Sequence, residues 1–301
     1  MADHEAAHTP VMPREALEFL HLPEGGVVVD GTLGLGGHAL LMAQAVGPHG
    51  HLIGIDRDNA SLRQAEKRLM SCSSELKIDL LQGNFRDLAE ILAGLKVSAV
   101  DGILLDLGIS SFQMDDASRG FSFKSDGPLD MRMDASQDLS AADLVNGLKE
   151  DELSGIIFEF GEERFARRIA KGVVMQRARQ KITTTKGLAD IVLRALPKGY
   201  TRGRIHPATR TFQALRMAVN KESEALPPGL ESCFSVLKKG GRMCVISFHS
   251  LEDRVVKNKF KSWALQGQAS VLTKRPLTPS DEESDFNPRA RSAKLRAVER
   301  I

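Results

Sequence analysis

The sequence predicts an α/β protein with a Rossmann-like parallel sheet and an inserted all-helical domain, and three observations indicate this class. Apolar strands alternate with helical segments up to about residue 111. Helical periodicity without strand signals follows, and the alternation resumes near residue 215. A glycine-rich turn joins the first strand to the helix after it. We therefore expect a discontinuous α/β domain, residues 1–112 and 215–301, around a helical insertion, residues 113–214.

The first part of the chain supplies four strands. A short helix over residues 13–20 begins with a proline, which is favoured in a first helical turn. Apolar runs then predict strands near 27–30, 52–56, 78–82 and 101–106. Residues 112–138 are rich in Asp, Gly, Ser and Met and predict a long irregular loop, a kind of segment that is often functional.

The segments after this loop are helical until the sheet resumes. Ser140 can cap a helix through Leu148, and Thr183 or Thr184 can cap one that ends before Pro197. Other helices are predicted at 151–160, at 162–179, from Pro207 and up to about Leu237. The remaining elements are a turn at 238–241, a strand at 242–247, a helix from about Leu251, a loop at 276–290 and a basic tail.

The glycine-rich turn has the spacing of a nucleotide-binding site. Gly34, Gly36 and Ala39 fit the pattern G-x-G-x-x-G/A between a strand and a helix. Asp56 follows Gly36 by 20 residues at the end of the second strand, where an acid can hold ribose hydroxyls. The turn alone is a weak signal, but the turn, the strand and the acid together predict a site for an adenosine-containing ligand.

The charge around this site selects among such ligands. Asp30, Asp56 and Asp106 each end a predicted strand, and parallel strands bring their carboxyl ends to one edge of the sheet. Three anions disfavour a pyrophosphate, and hence a nicotinamide-dependent oxidoreductase. They suit S-adenosylmethionine, which carries an ammonium and a sulfonium. The alternative is that each Asp only caps the following turn or helix.

Charge is distributed unevenly along the chain. Residues 1–160 carry 12 Lys/Arg against 26 Asp/Glu, and residues 161–301 carry 29 against 13. The stretches 164–181 and 191–221 each hold seven basic residues and no acid. Either stretch alone could be a solvated face, but two beside an acidic ligand-binding half predict a surface for a polyanion such as RNA or DNA. A non-catalytic RNA-binding protein would explain this charge but not the glycine-rich turn or the three strand-end acids.

The composition excludes several other classes of protein. No apolar run approaches the ~20 residues of a membrane helix, and the first residues are polar and lack a signal-peptide core. The three cysteines, Cys72, Cys233 and Cys244, have neither a disulfide pattern nor zinc-ligand spacing, and none follows a strand as a nucleophile for cytosine C5 would. We therefore expect a cytoplasmic protein in reducing surroundings, and no metal site.

Motifs along nearly the whole chain resemble one enzyme family. They are His8–Val11, Asp30–His38, Asp106–Ser111, Arg119–Phe123, Asp126–Met133, Gly161–Arg164, His206–Gln213, Ser247–Arg254 and Asn287–Ser292. Together they resemble the bacterial 16S ribosomal-RNA cytosine-N4 methyltransferases, the MraW or RsmH family. The departures are minor: the loop at 276–290 is short, and Phe112 occupies a variable position.

This resemblance implies a class I S-adenosylmethionine-dependent methyltransferase fold. It implies methylation of the exocyclic amine of one cytidine in the decoding region of 16S rRNA, with the helical insertion recognising the substrate. The partner would be 16S rRNA in the assembled small ribosomal subunit, and a homodimer is compatible with the family. The S-adenosylmethionine site would comprise Gly36, Gly37, His38, Asp56, Phe85, Asp106 and Gln113.

The chemistry of the acceptor suggests further residues. A cytosine amine is a weak nucleophile, and an acceptor for one of its protons favours the reactive form. Asp106 is assigned to orienting the ligand, and Ser110 or Ser111 to the target base; the alternative is that both serines only close the turn. His249 could position substrate or handle a proton, or make a structural hydrogen bond. A methyltransferase acting on another RNA or amine remains the alternative to the cytidine assignment.

Two aromatic residues of the irregular loop have the same kind of ambiguity. Phe121 and Phe123 could stack on an unstacked base, as recognition of single-stranded RNA often requires. They could equally form a small local core.

Overall fold

The computed structural model describes residues 9–197, 200 and 206–301, and the chain forms two compact units. The first unit comprises residues 1–108 and 224–301, and the second comprises residues 109–223. The predicted insertion, 113–214, falls within the second unit, which extends beyond it at both ends. The polar N-terminus, His8 and the basic residues Lys198, Arg202 and Arg204 lie outside the described residues.

The first unit is built on a seven-stranded sheet with the order β3-β2-β1-β4-β5-β7-β6. Its strands are β1 Val27–Asp30, β2 His51–Asp56, β3 Lys77–Gln82, β4 Val100–Asp106, β5 Leu237–Ser247, β6 Ala269–Val271 and β7 Lys294–Arg300. Strands β1 to β5 are parallel to one another, and β7 is antiparallel to both of its neighbours, β5 and β6. The chain order reverses between β1 and β4, which is where Rossmann-like sheets bind ligands.

Helices cover both faces of this sheet. They are α1 Pro13–Leu20, α2 Gly37–Val46, α3 Asn59–Leu69, α4 Leu88–Gly94, α11 Glu222–Ser235 and α12 Ser250–Leu265, and the unit also contains the short helix α13 Asp281–Phe286. Successive side chains of a strand point to opposite faces, so the strands contribute to two apolar cores. Val28 and Leu52 belong to one core, and Val29 and Ile53 to the other. The predicted α/β class is confirmed.

The second unit is helical. Its helices are α5 Ser111–Asp115, α6 Ala141–Gly147, α7 Glu150–Gly161, α8 Ala166–Arg177, α9 Thr185–Ala195 and α10 Thr209–Asn220. Ser140 and Thr184 cap α6 and α9, as predicted. The aromatic loop residues join a local core: Phe121 is buried, and Phe123 packs on His206 and Phe212 with ring centroids 4.4 and 5.0 Å away. In the described parts of the chain, no helix combines the length and apolar character needed to cross a bilayer.

Several predictions for the second half of the chain are wrong in detail. The segment 276–290, predicted as a loop, contains α13, and the predicted basic tail forms β7 in the sheet. The predicted helix 162–179 is shorter, because Glu162 adopts a left-handed conformation that separates α7 from α8. The predicted turn 238–241 lies within β5 as an irregularity: Val100 pairs with Leu237, whereas Gly102 pairs with Arg242.

Candidate active site

The turn after β1 adopts the conformation that its glycines permit. Gly34 and Gly36 have φ angles of 52° and 74°, in the left-handed region that glycine occupies without steric cost. The amide of Leu33 donates to Ile55 O of β2, which ties the turn to the neighbouring strand. A Cβ at Gly36 would lie 3.2 Å from Ala65 Cβ of α3, so the turn is also closely packed.

Asp56 is held at the end of β2 by backbone donors. The amide of Gly34 donates to its Oδ2 at 2.7 Å, and the amide of Asp58 donates to its Oδ1 at 2.8 Å. A carboxylate oxygen can accept two hydrogen bonds, so both oxygens retain capacity for hydroxyl donors. This arrangement connects the acid directly to the glycine turn and suits a ribose.

Asp106, at the end of β4, is connected to the same turn through its backbone. Its amide donates to Thr32 Oγ1 at 2.6 Å, and Thr32 N in turn donates to Asp30 Oδ1 at 3.2 Å. Within the described part of the chain, the buried Asp106 Oδ1 has no hydrogen-bond partner. His38 Nε2 lies 3.8 Å from the other oxygen, Oδ2. The site therefore offers a carboxylate oxygen with unused acceptor capacity.

The three strand-end carboxylates are poorly solvated, and this changes their ionisation. Burial raises the pKa of Asp30 to about 7, and the charge of Asp56 adds to the effect. Burial also raises the pKa of Asp56 to about 6, although the N–H groups of Asp58 and Gly34 oppose this shift. The pKa of Asp106 lies well above its usual range because of burial and the nearby charges of Asp30 and Glu252. A cation would relieve this repulsion.

The buried carboxylates restrict the class of ligand that the first unit could hold. A pyrophosphate would add negative charge beside carboxylates that already repel one another. A ligand with a positive group and a ribose would use both the desolvated acids and the acceptors of Asp56. The residues therefore fit S-adenosylmethionine and do not fit a dinucleotide.

Gly37 and His38, which are also predicted to bind the cofactor, directly follow the glycine turn. Gly37 and His38 begin α2, and the His38 side chain is buried. A Cβ at Gly37 would lie 3.3 Å from Arg68 Nη1 and 3.4 Å from Pro10 Cβ, so the backbone approaches two other segments closely. The roles of Gly36, Gly37 and His38 toward a cofactor stay predictions.

Phe85 follows β3 and packs against the sheet core next to two glycines. Its side chain is partly exposed. A Cβ on Gly229 of α11 would lie 2.5 Å from Phe85 Cδ2, and one on Gly31 would lie 3.2 Å from Phe85 Cβ. Glycine at position 229 makes room for the ring, and glycine at position 31 makes room for the first carbon of the Phe85 side chain.

A Gly229→Ala substitution is expected to destabilise the protein by about 1–2 kcal/mol, because the ring of Phe85 must move. Gly155 of α7 supplies the control, since a Cβ there would meet no atom of the described residues within 4 Å apart from its own stretch of helix backbone. Gly155→Ala is expected to stabilise its helix by up to about 1 kcal/mol. Chemical denaturation measures both. In a Phe85→Ala background, Gly229→Ala should cost little; an unchanged cost would contradict this explanation.

Ser110, Ser111 and Gln113 belong to the second unit. Ser110 caps α5: its Oγ accepts from Gln113 N at 3.2 Å, and Gln113 Oε1 accepts from Ser110 N at 3.1 Å. Gln113 is buried, and Ser111 is the first residue of the helix. This reciprocal pair is a capping box, so Ser110 and Gln113 have a structural role besides any contact to a ligand. Their predicted contacts to cofactor and base stay predictions.

His249 and Glu252 follow β5 and form the start of α12. His249 Nδ1 accepts from Glu252 N at 3.4 Å, and Glu252 Oε2 accepts from Phe248 N at 2.9 Å. These contacts favour the structural alternative for His249. Two contributions were not found in the sequence: the Thr32 hydroxyl that joins the turn to β4, and the charge of Glu252 near Asp106. The sequence shows a threonine in the turn, but it does not show that the hydroxyl accepts from Asp106 N, because this contact depends on the pairing of β1 with β4.

Comparison with known proteins defines the family. The model of the MraW methylase family matches residues 5–301. A protein of Syntrophotalea carbinolica named ribosomal RNA small subunit methyltransferase H is 50% identical over 309 residues, covering 98% of each chain. A protein of the same name from Geobacter sulfurreducens is 51% identical over 311 residues, covering 98% of this chain and 99% of its own.

Among solved structures, an rRNA methylase from Streptococcus thermophilus covers 96% of this chain and 93% of its own, with a TM-score of 0.43 and 10% identity. This similarity is too weak to inform fold or function. The match to the family model extends over almost the entire sequence, and the strand-end acids and glycine turn lie inside it. The chain therefore belongs to the MraW methylase family.

Proposed function

We propose that this protein methylates the RNA of the small ribosomal subunit, and that its acceptor is the N4 amine of one cytidine in the decoding region of 16S rRNA. The family and the relatives named ribosomal RNA small subunit methyltransferase H, at 50–51% identity, support the reaction and the kind of RNA. The choice of N4 and of the nucleotide rests on the motif resemblance alone.

The methyl donor is S-adenosylmethionine, and one observation carries this assignment. The desolvated carboxylates of Asp30, Asp56 and Asp106 share one edge of the sheet, and the pKa of each is raised. They would provide negative charge for a cationic ligand and acceptors for ribose hydroxyls. When bound, the donor supplies an electrophilic methyl group on a sulfonium. The residues assigned to holding it are Gly36, Gly37, His38, Asp56, Phe85, Asp106 and Gln113.

The protein's contribution to the reaction is orientation and the handling of one proton. Methyl transfer requires the acceptor amine in line with the methyl carbon, so positioning supplies much of the catalysis. Asp106 Oδ1 is a buried acceptor without a hydrogen-bond partner among the described residues, which suits a group that receives an amine proton. Ser110 and Ser111 follow Asp106 closely in sequence and are assigned to the base.

The same proposal includes the partners. The substrate is the 16S rRNA of an assembled small subunit, and a ribosomal substrate implies activity in the cytoplasm. The second unit supplies substrate recognition, since both basic stretches begin within it. A homodimer remains a prediction from the family resemblance.

The test is methyl transfer from labelled S-adenosylmethionine to small subunits that lack the modification, followed by nucleoside analysis of the 16S rRNA. N4-methylcytidine at one position is the expected product. Label on another atom or another RNA would keep the methyltransferase activity and overturn the acceptor. If the protein binds the cofactor but transfers no methyl group either to small subunits or to free 16S rRNA, the proposed function is wrong.

A further inference from the structure

Two groups of basic residues can be distinguished among those that the structure describes in the second unit, and the first group is used internally. Arg177 donates to Val145 O at 2.7 Å and to Leu148 O at 2.6 Å, where it satisfies carbonyls at the end of α6. Arg216 forms a two-point contact with Glu222, with both distances 2.8 Å. These side chains stabilise the unit, so sequence charge alone overstates what is available to a partner.

The second group lies on one face of α8. Arg167, Arg168 and Lys171 are exposed, whereas Ile169 and Val173 on the other face are fully buried. Positions three and four residues apart are neighbours on a helix, so the three cations form one surface. Within the described part of the chain they have no ion pair or hydrogen bond through their side chains, and no acid occurs between residues 164 and 181.

Arg164 extends this surface beyond the start of the helix and is oriented by aromatic rings. Its guanidinium carbon lies 4.8 Å from the ring centre of Phe165 and 5.2 Å from that of Tyr200. The hydroxyl of Tyr200 donates to Glu163 Oε2 at 3.1 Å, and Glu163 is fully buried. A guanidinium stacked in this way loses little freedom on binding and still presents a planar set of donors.

Charge identifies the class of partner. Residues 164–171, which include the first part of α8, carry four cations with no acid between them. Two exposed acids, Glu159 and Glu162, lie nearby at the end of α7. Like charges three and four residues apart on a helix repel one another, and such a row is complementary to the regularly spaced phosphates of a nucleic acid. Met175, 56% exposed, extends the same face with an apolar side chain.

We infer that Arg164, Arg167, Arg168 and Lys171 form a phosphate-binding surface for the RNA substrate, in which Arg164 is the preoriented contact. We call these four residues the α8 surface. The inference rests on the proposed function for the identity of the RNA. It goes beyond that function because it separates the residues that contact RNA from the basic residues that only support the fold.

The experiment measures the affinity of the full chain for a fluorescent 16S decoding-region RNA by anisotropy, over a range of salt concentrations and without cofactor. The test variant is Arg167→Ala/Arg168→Ala/Lys171→Ala. The matched control is Lys239→Ala/Lys257→Ala/Lys261→Ala, which removes the same charge from exposed positions in the first unit. Thermal unfolding and binding of labelled S-adenosylmethionine establish that both variants remain folded.

The test variant is expected to lose roughly 10- to 100-fold in RNA affinity near 0.1 M salt, and the slope of log affinity against log salt should fall by about 2–3. The control should stay close to wild type. Arg164→Lys keeps the charge but loses the planar stacking, so it should weaken binding less than Arg164→Ala.

Three outcomes would overturn the inference: unchanged affinity of the test variant, an equal loss in the control, or no affinity of the wild-type chain for RNA. These outcomes are separable from failure of the proposed function. If wild-type protein binds RNA through the α8 surface but forms no N4-methylcytidine, the surface stands and the assigned reaction falls. If it forms the product while the test variant binds normally, the reaction stands and the surface falls.

Discussion

Asp106→Asn is expected to lower the rate of methyl transfer to small ribosomal subunits on the order of 100-fold or more. The substitution keeps the size of the side chain but removes its negative charge. The backbone N–H of residue 106 can still donate to Thr32 Oγ1, so the link between β4 and the glycine turn is retained. What is lost is the charge beside a cationic ligand and the acceptor strength of Oδ1. Initial rates under saturating cofactor measure the effect.

Three further variants serve as one control for Asp106→Asn and as tests of the two serines. Asp87→Asn changes an exposed carboxylate of the same unit and should leave the rate unchanged. Ser110→Ala removes a cap of α5, so its effect on the rate should be accompanied by a loss of stability. Ser111→Ala tests the remaining serine, and unchanged turnover in both serine variants would remove them from the mechanism. An Asp106→Asn enzyme with the wild-type rate would contradict the assigned role of Asp106.

The first half of the sheet could be predicted closely because each of its strands contains a short cluster of apolar residues. The structure has β1 at Val27–Asp30 as predicted, and β4 begins one residue before the predicted 101. The last strand, β7, could not be recognised, since its sequence Lys-Leu-Arg-Ala-Val-Glu-Arg has four charged residues out of seven. In the structure Arg296 is buried because Asp253 of α12 accepts from its Nε at 2.6 Å. A sequence does not show which distant acid will neutralise a buried arginine.

The candidate site was predictable to a similar degree. Strand ends locate Asp30, Asp56 and Asp106 at one edge, because parallel strands have a common direction. His38, Phe85 and Gln113 came only from the family resemblance, since each residue type has commoner structural uses. The severity of the desolvation could not be foreseen. It depends on the packing around each carboxyl, and Asp30 proves to be only 1% exposed.

This desolvation leads to the second large effect: Asp30→Asn is expected to stabilise the ligand-free protein above pH 7 by about 2–4 kcal/mol. In the folded chain the pKa of Asp30 is raised from 3.8 to about 7, chiefly by burial. The folded state therefore holds a proton that the unfolded state releases. The contribution of this group to stability is complete below pH 4, falls as the pH rises toward 7, and is constant above it. Asparagine does not ionise, and its Oδ1 can still accept from Thr32 N.

Denaturant unfolding from pH 4 to 8, without cofactor, measures this difference. The gain from Asp30→Asn should be near zero at pH 4 and reach its maximum above pH 7, while Asp87→Asn should follow the wild-type curve. Asp56 and Asp106 keep some pH dependence in the variant, but a smaller one, because the charge of Asp30 also raises the pKa of Asp106. A gain independent of pH would contradict the burial explanation.

The same substitution should weaken the binding of S-adenosylmethionine, so the cofactor should raise the melting temperature of the variant less than that of wild type. The variant should therefore be more stable than wild type alone but less stabilised by the cofactor. This result is expected if the charge of Asp30 serves ligand binding and lowers the stability of the free protein. Full retention of cofactor affinity would mean that the negative charge of Asp30 is not used by the ligand. The assignment of the cationic donor to this edge of the sheet would then depend on Asp56 and Asp106 alone.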